Sequence, residues 1–454
     1  MTIAADYCDY CDSLPCDCES QDVHPRFAHN IVDPEDRSGF NPVEWSQTVQ
    51  AKKPIRLDPV SGALWSYGAG VWSEDRKVVE HTLPMVMGKN YRRPKHLGTV
   101  IDRIRAEMVH HDRTIHPDNP EPRYVSTPSG LFDIETGKVV GHSPDVLTTY
   151  QIQVDPEFDT PTTEFDAFLE SVLHPGDRDR VLDILAYLLL PGNPRQKAVM
   201  FSGRGRNGKG ILLRVVRAIV GDSNISTVAL SKMGTRFAAA HLYGKPLNIV
   251  GDIDGEHITN TGAFKMMTGD DLVHMDVKNA QAFSAKVWAV PVFSANQIPT
   301  SADTSDGYLR RWEVVEFPNT FDGSDTTLFD RLLDELPAIT GKLLQHAHRN
   351  PFHIRTSEPG QRAHTAFANR SDPVRTWLAE TELEGFTERK AAYLNYEFWI
   401  RDGNGKTALT KGNFYSRVSA VLGDPKTRKG ARGWEFVSVP EPVPDPFQPE
   451  LTPE

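Results

Sequence analysis

The chain has 454 residues, enough for about three folded units at ordinary domain size. Hydrophobic residues make up 39% and charged residues 24%, which excludes a wholly disordered or collagen-like chain. With 50 Lys and Arg against 61 Asp and Glu the net charge is −11, so any polynucleotide must meet a local basic patch or an interior channel rather than the surface as a whole.

The N-terminus, MTIAADYCDYCDS, is acidic and lacks the basic-then-apolar profile of a secretory signal, and no apolar run reaches the ~20 residues of a membrane helix. A cytoplasmic protein is expected. All four cysteines, Cys8, Cys11, Cys16 and Cys18, fall in a C-x2-C-x4-C-x-C cluster. In a reducing compartment these thiolates have the chemistry to hold one tetrahedral Zn2+, with His24 and His29 as substitute ligands; a flexible acidic leader with incidental thiols is the other reading of residues 1–54. Residues 55–160 read as an α+β domain. GALWSYGAGVW (62–72) gives one hairpin signal, and SGLFDIETGKVVGHSP (129–144) a second with Glu135-Thr136-Gly137 as its turn. From Thr163 the period changes: Phe165, Phe168, Leu169, Val172 and Leu173, then Val181, Ile184, Leu185 and Leu188, predict two amphipathic helices in a module spanning 161–193.

The next segment, KAVMFSGRGRNGKGILLRVVRAIVGD (197–222), predicts a buried strand over 198–201, a helix over 211–220 and, between them, Gly203-x4-Gly208-Lys209. Such glycines let backbone N–H groups face a phosphate, the helix N-terminus adds partial positive charge, and the lysine reaches the outer phosphates. The candidate nucleotide-binding residues are Gly203, Arg204, Gly205, Arg206, Asn207, Gly208, Lys209, Gly210 and Ile211. Gly210 stands where a Ser or Thr hydroxyl usually holds Mg2+, so water must replace that ligand. Downstream, the strand PLNIVGD ends in Asp252, with Asp254 two residues on; a strand-end acid can hold the Mg2+ shell and orient the attacking water. A further strand over 287–292 leads to Asn296, a residue suited to hydrogen-bond a γ-phosphate or its water. Arg310 and Arg311 precede the strand over 312–317, and either can neutralise charge on a transferred phosphoryl group or pair with a surface acid.

Residues 401–433 hold eight bases, including Lys411, Lys426, Arg428, Lys429 and Arg432, against Asp402 and Asp424. Thr410 can cap a helix carrying Phe414, Val418 and Leu422, and KTRKGARG reads as a basic turn before the strand WEFVSV. Helix, basic wing and strand suit duplex phosphates, with a solvated charged face as the plain alternative. The end, PEPVPDPFQPELTPE (440–454), is too rich in proline and acid to build a core and is expected to be a disordered tail.

Taken together, GRGRNGKG, LNIVGDID, FKMMTGDDLVHMDVKNAQAFSA, VFSANQIP and YLRRWEVVEF resemble a superfamily 3 helicase of the phage, plasmid and poxvirus primase-helicase type, over roughly residues 55–439. The resemblance implies an α/β fold: a P-loop, AAA+-like ATPase core (194–365) between a helicase-preceding domain and a C-terminal winged helix (366–439). It further implies ATP and Mg2+ as cofactors, Lys209 as the phosphate lysine, Asp252 (or Asp254) as the metal acid, Asn296 as sensor, and Arg310 or Arg311 as a finger acting on the neighbour in a homo-hexamer. A hairpin carrying His274 and Lys278, with Lys286 nearby, would track single-stranded DNA in the ring, 3′ to 5′ by analogy with the family. Single-stranded and forked DNA are the expected partners, in replication of a phage or other mobile element. Only Gly251-Asp252 stands where many relatives carry two adjacent acids. An origin-binding initiator or loader ATPase remains the alternative from another class. Residues 1–54 are too few for a primase domain, which leaves priming to a separate chain, and a small-molecule kinase fits the asparagine strand and paired arginines poorly.

Overall fold

The computed structural model describes residues 41–87, 94–253, 258, 260–278, 281–296, 298, 299, 301, 303, 305–404 and 408–436. The chain divides at His116–Pro117 into two units. In the first, helix α1 (Pro42–Lys52) starts at Asn41, whose side-chain oxygen accepts the backbone N–H of Val43 at 3.0 Å, and Pro42 occupies a position where no N–H is needed. Strands β1 (Ile55–Leu57), β2 (Leu64–Gly68) and β3 (Val71–Glu74) form an antiparallel sheet, followed by α2 (Val78–Met87) and α3 (Pro94–His110). The β2–β3 hairpin is the one expected over 62–72, with Tyr67 and Trp72 packed at 5.4 Å. Val49, Leu83, Val100, Ile104 and Met108 close this core.

The second unit begins with an antiparallel meander, β4 (Tyr124–Ser126), β5 (Leu131–Asp133) and β6 (Lys138–Val140), and helices α4 (Thr163–Val172) and α5 (Arg178–Tyr187). Then come β7 (Ala198–Ser202), α6 (Lys209–Val220), β8 (Ile225–Ser226), α7 (Ala238–Leu242), β9 (Leu247–Ile253), α8 (Thr261–Met267), the hairpin β10 (Val273–Met275) and β11 (Phe283–Ala285), β12 (Val290–Ala295), α9 (Asp306–Leu309) and β13 (Trp312–Glu316). Helices α10 (Leu328–Asp334), α11 (Leu336–Arg349), α12 (Glu358–Ser371) and α13 (Pro373–Glu380) lead to β14 (Gly385–Glu388), α14 (Arg389–Asn404), α15 (Lys411–Leu422), β15 (Lys426–Arg428) and β16 (Ala431–Phe436).

The centre is a mixed α/β structure around a parallel five-stranded sheet of order β13-β7-β12-β9-β8. One face carries Val199, Phe201, Val290, Val292 and Val315 into a core shared with α4, α5, α6 and α11. The other face is aromatic: Trp312 stacks on Phe264 of α8 at 4.7 Å with planes 7° apart, and touches Tyr308 and Phe367. Strand β12 starts and ends three residues later than the sequence pattern suggested, because Val287, Trp288 and Ala289 are as buried as the strand that follows and the apolar run does not mark where pairing begins.

Two boundaries read from sequence are redrawn. Residues 42–52 are not leader but helix α1, whose buried side is only Val43, Ser46 and Val49, too sparse an apolar pattern to stand out. The span 55–160 is not one domain: Val125, Phe132, Ile134, Tyr150 and Ile152 pack into the core of the second unit. A hairpin signal does not say which core the hairpin joins.

Buried Asp183 of α5 fastens that helix to the chain after α11. It accepts Arg355 Nε at 2.6 Å and Arg355 N–H at 3.1 Å, with His346 Nδ1 at 3.4 Å. Burial alone would raise its pKa, but the hydrogen bonds of His346 and Arg355 outweigh that and hold it at about 2. The folded value lies below the unfolded one, so the stabilisation, about 2 kcal/mol, is complete above about pH 4 and is lost as pH falls toward about 2. Asp183→Asn is expected to melt lower at neutral pH and to show a shallower acid limb in thermal melts; an unchanged melting temperature and limb would show that this cluster clamps nothing.

Candidate functional site

Strand β7 ends at Ser202, the chain turns through residues 203–208, and α6 starts at Lys209. The turn depends on its glycines. Gly208 has φ +90°, and a Cβ there would lie 2.6 Å from Val172 Cγ1; a Cβ on Gly203 would lie 2.2 Å from Asn207 Nδ2 and 2.6 Å from the Phe317 carbonyl. Arg204 and Arg206 are exposed on the loop, Asn207 is buried beneath it, and the first turn of α6 directs its unpaired N–H groups to the same mouth. Gly210 and Ile211 follow on that turn, and nothing lies within 4 Å of a Cβ built on Gly210.

The Lys209 side chain turns inward and the residue is 4% exposed. Its ammonium donates to the Gly203 carbonyl at 2.5 Å, to Asn207 Oδ1 at 3.1 Å and to Asn296 Oδ1 at 3.2 Å. Burial lowers its pKa to about 8, against an opposing pull from the Asp252 carboxylate. Asn296, at the exit of β12, donates from Nδ2 to Asp252 Oδ1 at 2.8 Å. Three residues separated by 43 and 44 positions thus form one hydrogen-bonded chain at the carboxyl edge of the sheet.

Asp252 reaches Asn296 through an irregularity in β9. Phe293 pairs with Val250 and Ala295 with Ile253, so two steps on β12 match three on β9 and one residue is extra. Asp252 itself has φ +51°, an uncommon conformation for a residue with a side chain. Asp254, Cys8, Cys11, Cys16 and Cys18 lie outside the described residues.

The two arginines differ sharply. The Arg311 carbonyl accepts Ala198 N–H at 2.7 Å, so the pair sits at the amino edge of the sheet, a strand length (about 13 Å) from Lys209's edge. Arg311 is 7% exposed, donates to the carbonyls of Gly307 and Lys265, and has a lowered pKa from burial and from Arg310 beside it. Its guanidinium is engaged within the fold. Arg310 is exposed and donates from Nη2 to Gln196 Oε1 at 3.0 Å.

The β10–β11 hairpin exists as expected, with His274 exposed 3.8 Å from Asp276 and Lys278 exposed in the connection. Lys286 is less available, because its ammonium pairs with Asp270 at 2.9 Å. Sequence reasoning missed Arg236 and Phe237. Arg236 pairs with Asp276 at 3.1 Å and lies over the exposed Phe237 ring, which puts a base and an aromatic beside the hairpin. The adjacent base and aromatic in GTRFAAA were the available signal.

In the C-terminal module, Trp377, Tyr396, Phe414 and Trp434 form the core of α13–α15 and the sheet β14-β16-β15. Lys411 opens α15, and Lys426, Arg428, Lys429 and Arg432 are exposed along the β15–β16 hairpin. Arg428 is partly spent on Glu435 at 3.0 Å, and Arg417 turns inward to buried Asp372 at 3.1 Å. A separate cleft of about 400 Å3, lined by Gln153, Arg214, Arg217 and Phe329, lies toward the far end of α6. Its charge is already engaged: Arg217 pairs with Asp222, and Arg214 covers the Phe329 ring at 3.5 Å.

Residues 46–174 match a family described as D5 N terminal like, and residues 201–311 match a family of unknown function, DUF5906. A protein of Acanthamoeba polyphaga mimivirus named "Putative helicase L207/L206" is 25% identical over 206 residues; the match spans 42% of this chain and only about a fifth (21%) of that protein. Two structures of the NrS-1 C-terminal region, both apo, share the fold: one at TM-score 0.51 and 12% identity over 88% of this chain and 100% of that one, the other at 0.50 and 13% over 87% and 99%. The D5-type match, the helicase relative and the shared fold support the resemblance to superfamily 3 primase-helicases that the motif set carries.

Proposed function

We propose that this chain is an ATP-driven DNA helicase that works as a ring, most simply a homo-hexamer, in replication of viral or other mobile-element DNA. The observation that carries the reading is the Lys209–Asn296–Asp252 chain at the mouth of a glycine turn. The donor set fits a triphosphate: a cradle that a Cβ would fill, helix N–H groups, and a buried ammonium whose three protein acceptors can be exchanged for phosphate oxygens. Asp252 gives one carboxylate oxygen to Asn296, leaving the other for a Mg2+ ion or its water, and water must also fill the place of the hydroxyl absent at Gly210. Bound Mg2+ would neutralise phosphate charge. Lys209 would hold the outer phosphates, Asp252 would orient the attacking water, and Asn296 would sense the phosphate.

Arg310 is a strand length from its own chain's Lys209, so its finger role is assigned to the site of an adjacent copy. DNA would meet Lys278, His274, Arg236 and Phe237 at the hairpin, and the C-terminal module, read as a winged helix, would hold duplex through Lys411, Lys426, Lys429 and Arg432. The cysteine cluster as a zinc site and a separate primase complete the proposal. Gly210 favours a second reading, an initiator or loader that remodels DNA without processive unwinding; strand displacement on a forked substrate separates the two.

Lys209→Ala is expected to cut ATP turnover by about a hundredfold or more, and retained turnover would remove the reading. Since burial brings the Lys209 pKa down to about 8 and the ammonium must be charged to bind phosphate, nucleotide affinity should hold below about pH 8 and weaken by up to about tenfold per unit above it, as isothermal titration would measure. The room at residue 210 lets Gly210→Ser fold normally and lower the Mg2+ concentration needed for half-maximal turnover; an unchanged Mg2+ requirement would show that no metal approaches that position. Alanine at Lys426, Lys429 or Arg432 should each reduce the slope of log affinity for duplex against log salt by about one, and slopes that do not move would take duplex binding away from this hairpin.

A further inference from the structure

Arg310 is held at both ends by two consecutive residues of one loop. Gln196 Oε1 accepts Arg310 Nη2 at 3.0 Å and, at the longer distance of 3.5 Å, Arg311 Nη2, and Lys197 Nζ donates to the Arg310 backbone carbonyl at 3.0 Å. The loop is rigidly built. Asn193 Oδ1 accepts Tyr187 OH at 2.6 Å and Lys197 N–H at 2.8 Å, Asn193 Nδ2 donates to the Lys197 carbonyl at 2.9 Å, and Tyr187 is buried. Lys197 is further fixed by Glu313 at 2.7 Å. Gln196 itself has φ +56°, a conformation that favours glycine, so the chain keeps a long amide side chain where the backbone would be easier without one.

We infer that Gln196 is a positioning residue for Arg310: it aims the guanidinium toward the neighbouring copy's nucleotide, and Lys197 fixes the backbone from which it projects. Resting on the finger role proposed above, this adds a link within the subunit. Gln196 and Lys197 enter β7, and the far end of β7 is the glycine turn, so one short strand joins the arginine given to a neighbour with the loop that holds the subunit's own nucleotide. The shorter of the two bonds made by Gln196 is to Arg310, and its effect on turnover would pass through that guanidinium, while Arg311 keeps its bonds to the carbonyls of Gly307 and Lys265.

Gln196→Gly removes the amide while keeping the backbone conformation unstrained, so it should fold and melt like the parent chain. With single-stranded DNA present, its kcat for ATP should fall by about tenfold to a hundredfold with KM unchanged, as expected for a misaimed group. Gln196→Glu, which keeps an acceptor for Arg310, should recover most of the rate. Mixing Gln196→Gly with Lys209→Ala should restore turnover, because the second chain supplies a well-aimed arginine to the first chain's intact site. Full kcat in Gln196→Gly beside a dead Arg310→Ala would overturn the positioning role and leave the finger standing. Full kcat in Arg310→Ala would remove the finger and, with it, the positioning role.

Discussion

The Lys209 ammonium is largely withdrawn from water, and oxygens from Gly203, Asn207 and Asn296 take the place of much of its hydration. A buried charge of this kind is tolerated only while its hydrogen bonds are met, so the position of the lysine dictates those of its acceptors. Gly203 must lack a side chain, Asn207 must lie under the loop and β12 must deliver Asn296 to the same height. Asp252 then follows, through Asn296, by an extra residue in β9. The carboxyl edge of the sheet is organised from that one ammonium outward.

The amino edge of the same sheet has a different arrangement. Arg311 is buried and held mainly by backbone carbonyls, with a longer bond to Gln196, while Arg310 is exposed with its guanidinium on the same Gln196 oxygen. Parallel strands separate the two edges by their own length, so residues adjacent in the motif order are far apart in space. In the proposed ring, the edge bearing Arg310 in one copy would face the edge bearing the phosphate loop in the next.

The strand, glycine turn and helix around Lys209 were legible because their signals are local: an apolar run, glycines at fixed offsets, and a lysine opening an amphipathic helix. The basic C-terminal hairpin was legible for the same reason, whereas the β10–β11 hairpin was expected only from the family resemblance. What escaped depends on partners distant in sequence. The extra residue at 251–252 exists only relative to β12, the difference between Arg310 and Arg311 only relative to the groups around them, and the start of β12 lay within a longer apolar run that begins at Val287. Helix α1 escaped because two valines make too thin a stripe, and Arg236–Phe237 because their significance comes from Asp276, 40 residues away.

Trp312 immediately follows the arginine pair and is the hub of the aromatic face, flat against Phe264 of α8 and in contact with Tyr308 and Phe367. Close-packed rings of this size deform little and pass displacement on rather than absorb it. Helix α8 leads directly into the β10–β11 hairpin. The segment that bears Arg310 and the helix that precedes the Lys278 hairpin are therefore joined by a packed ring contact rather than by a loose loop.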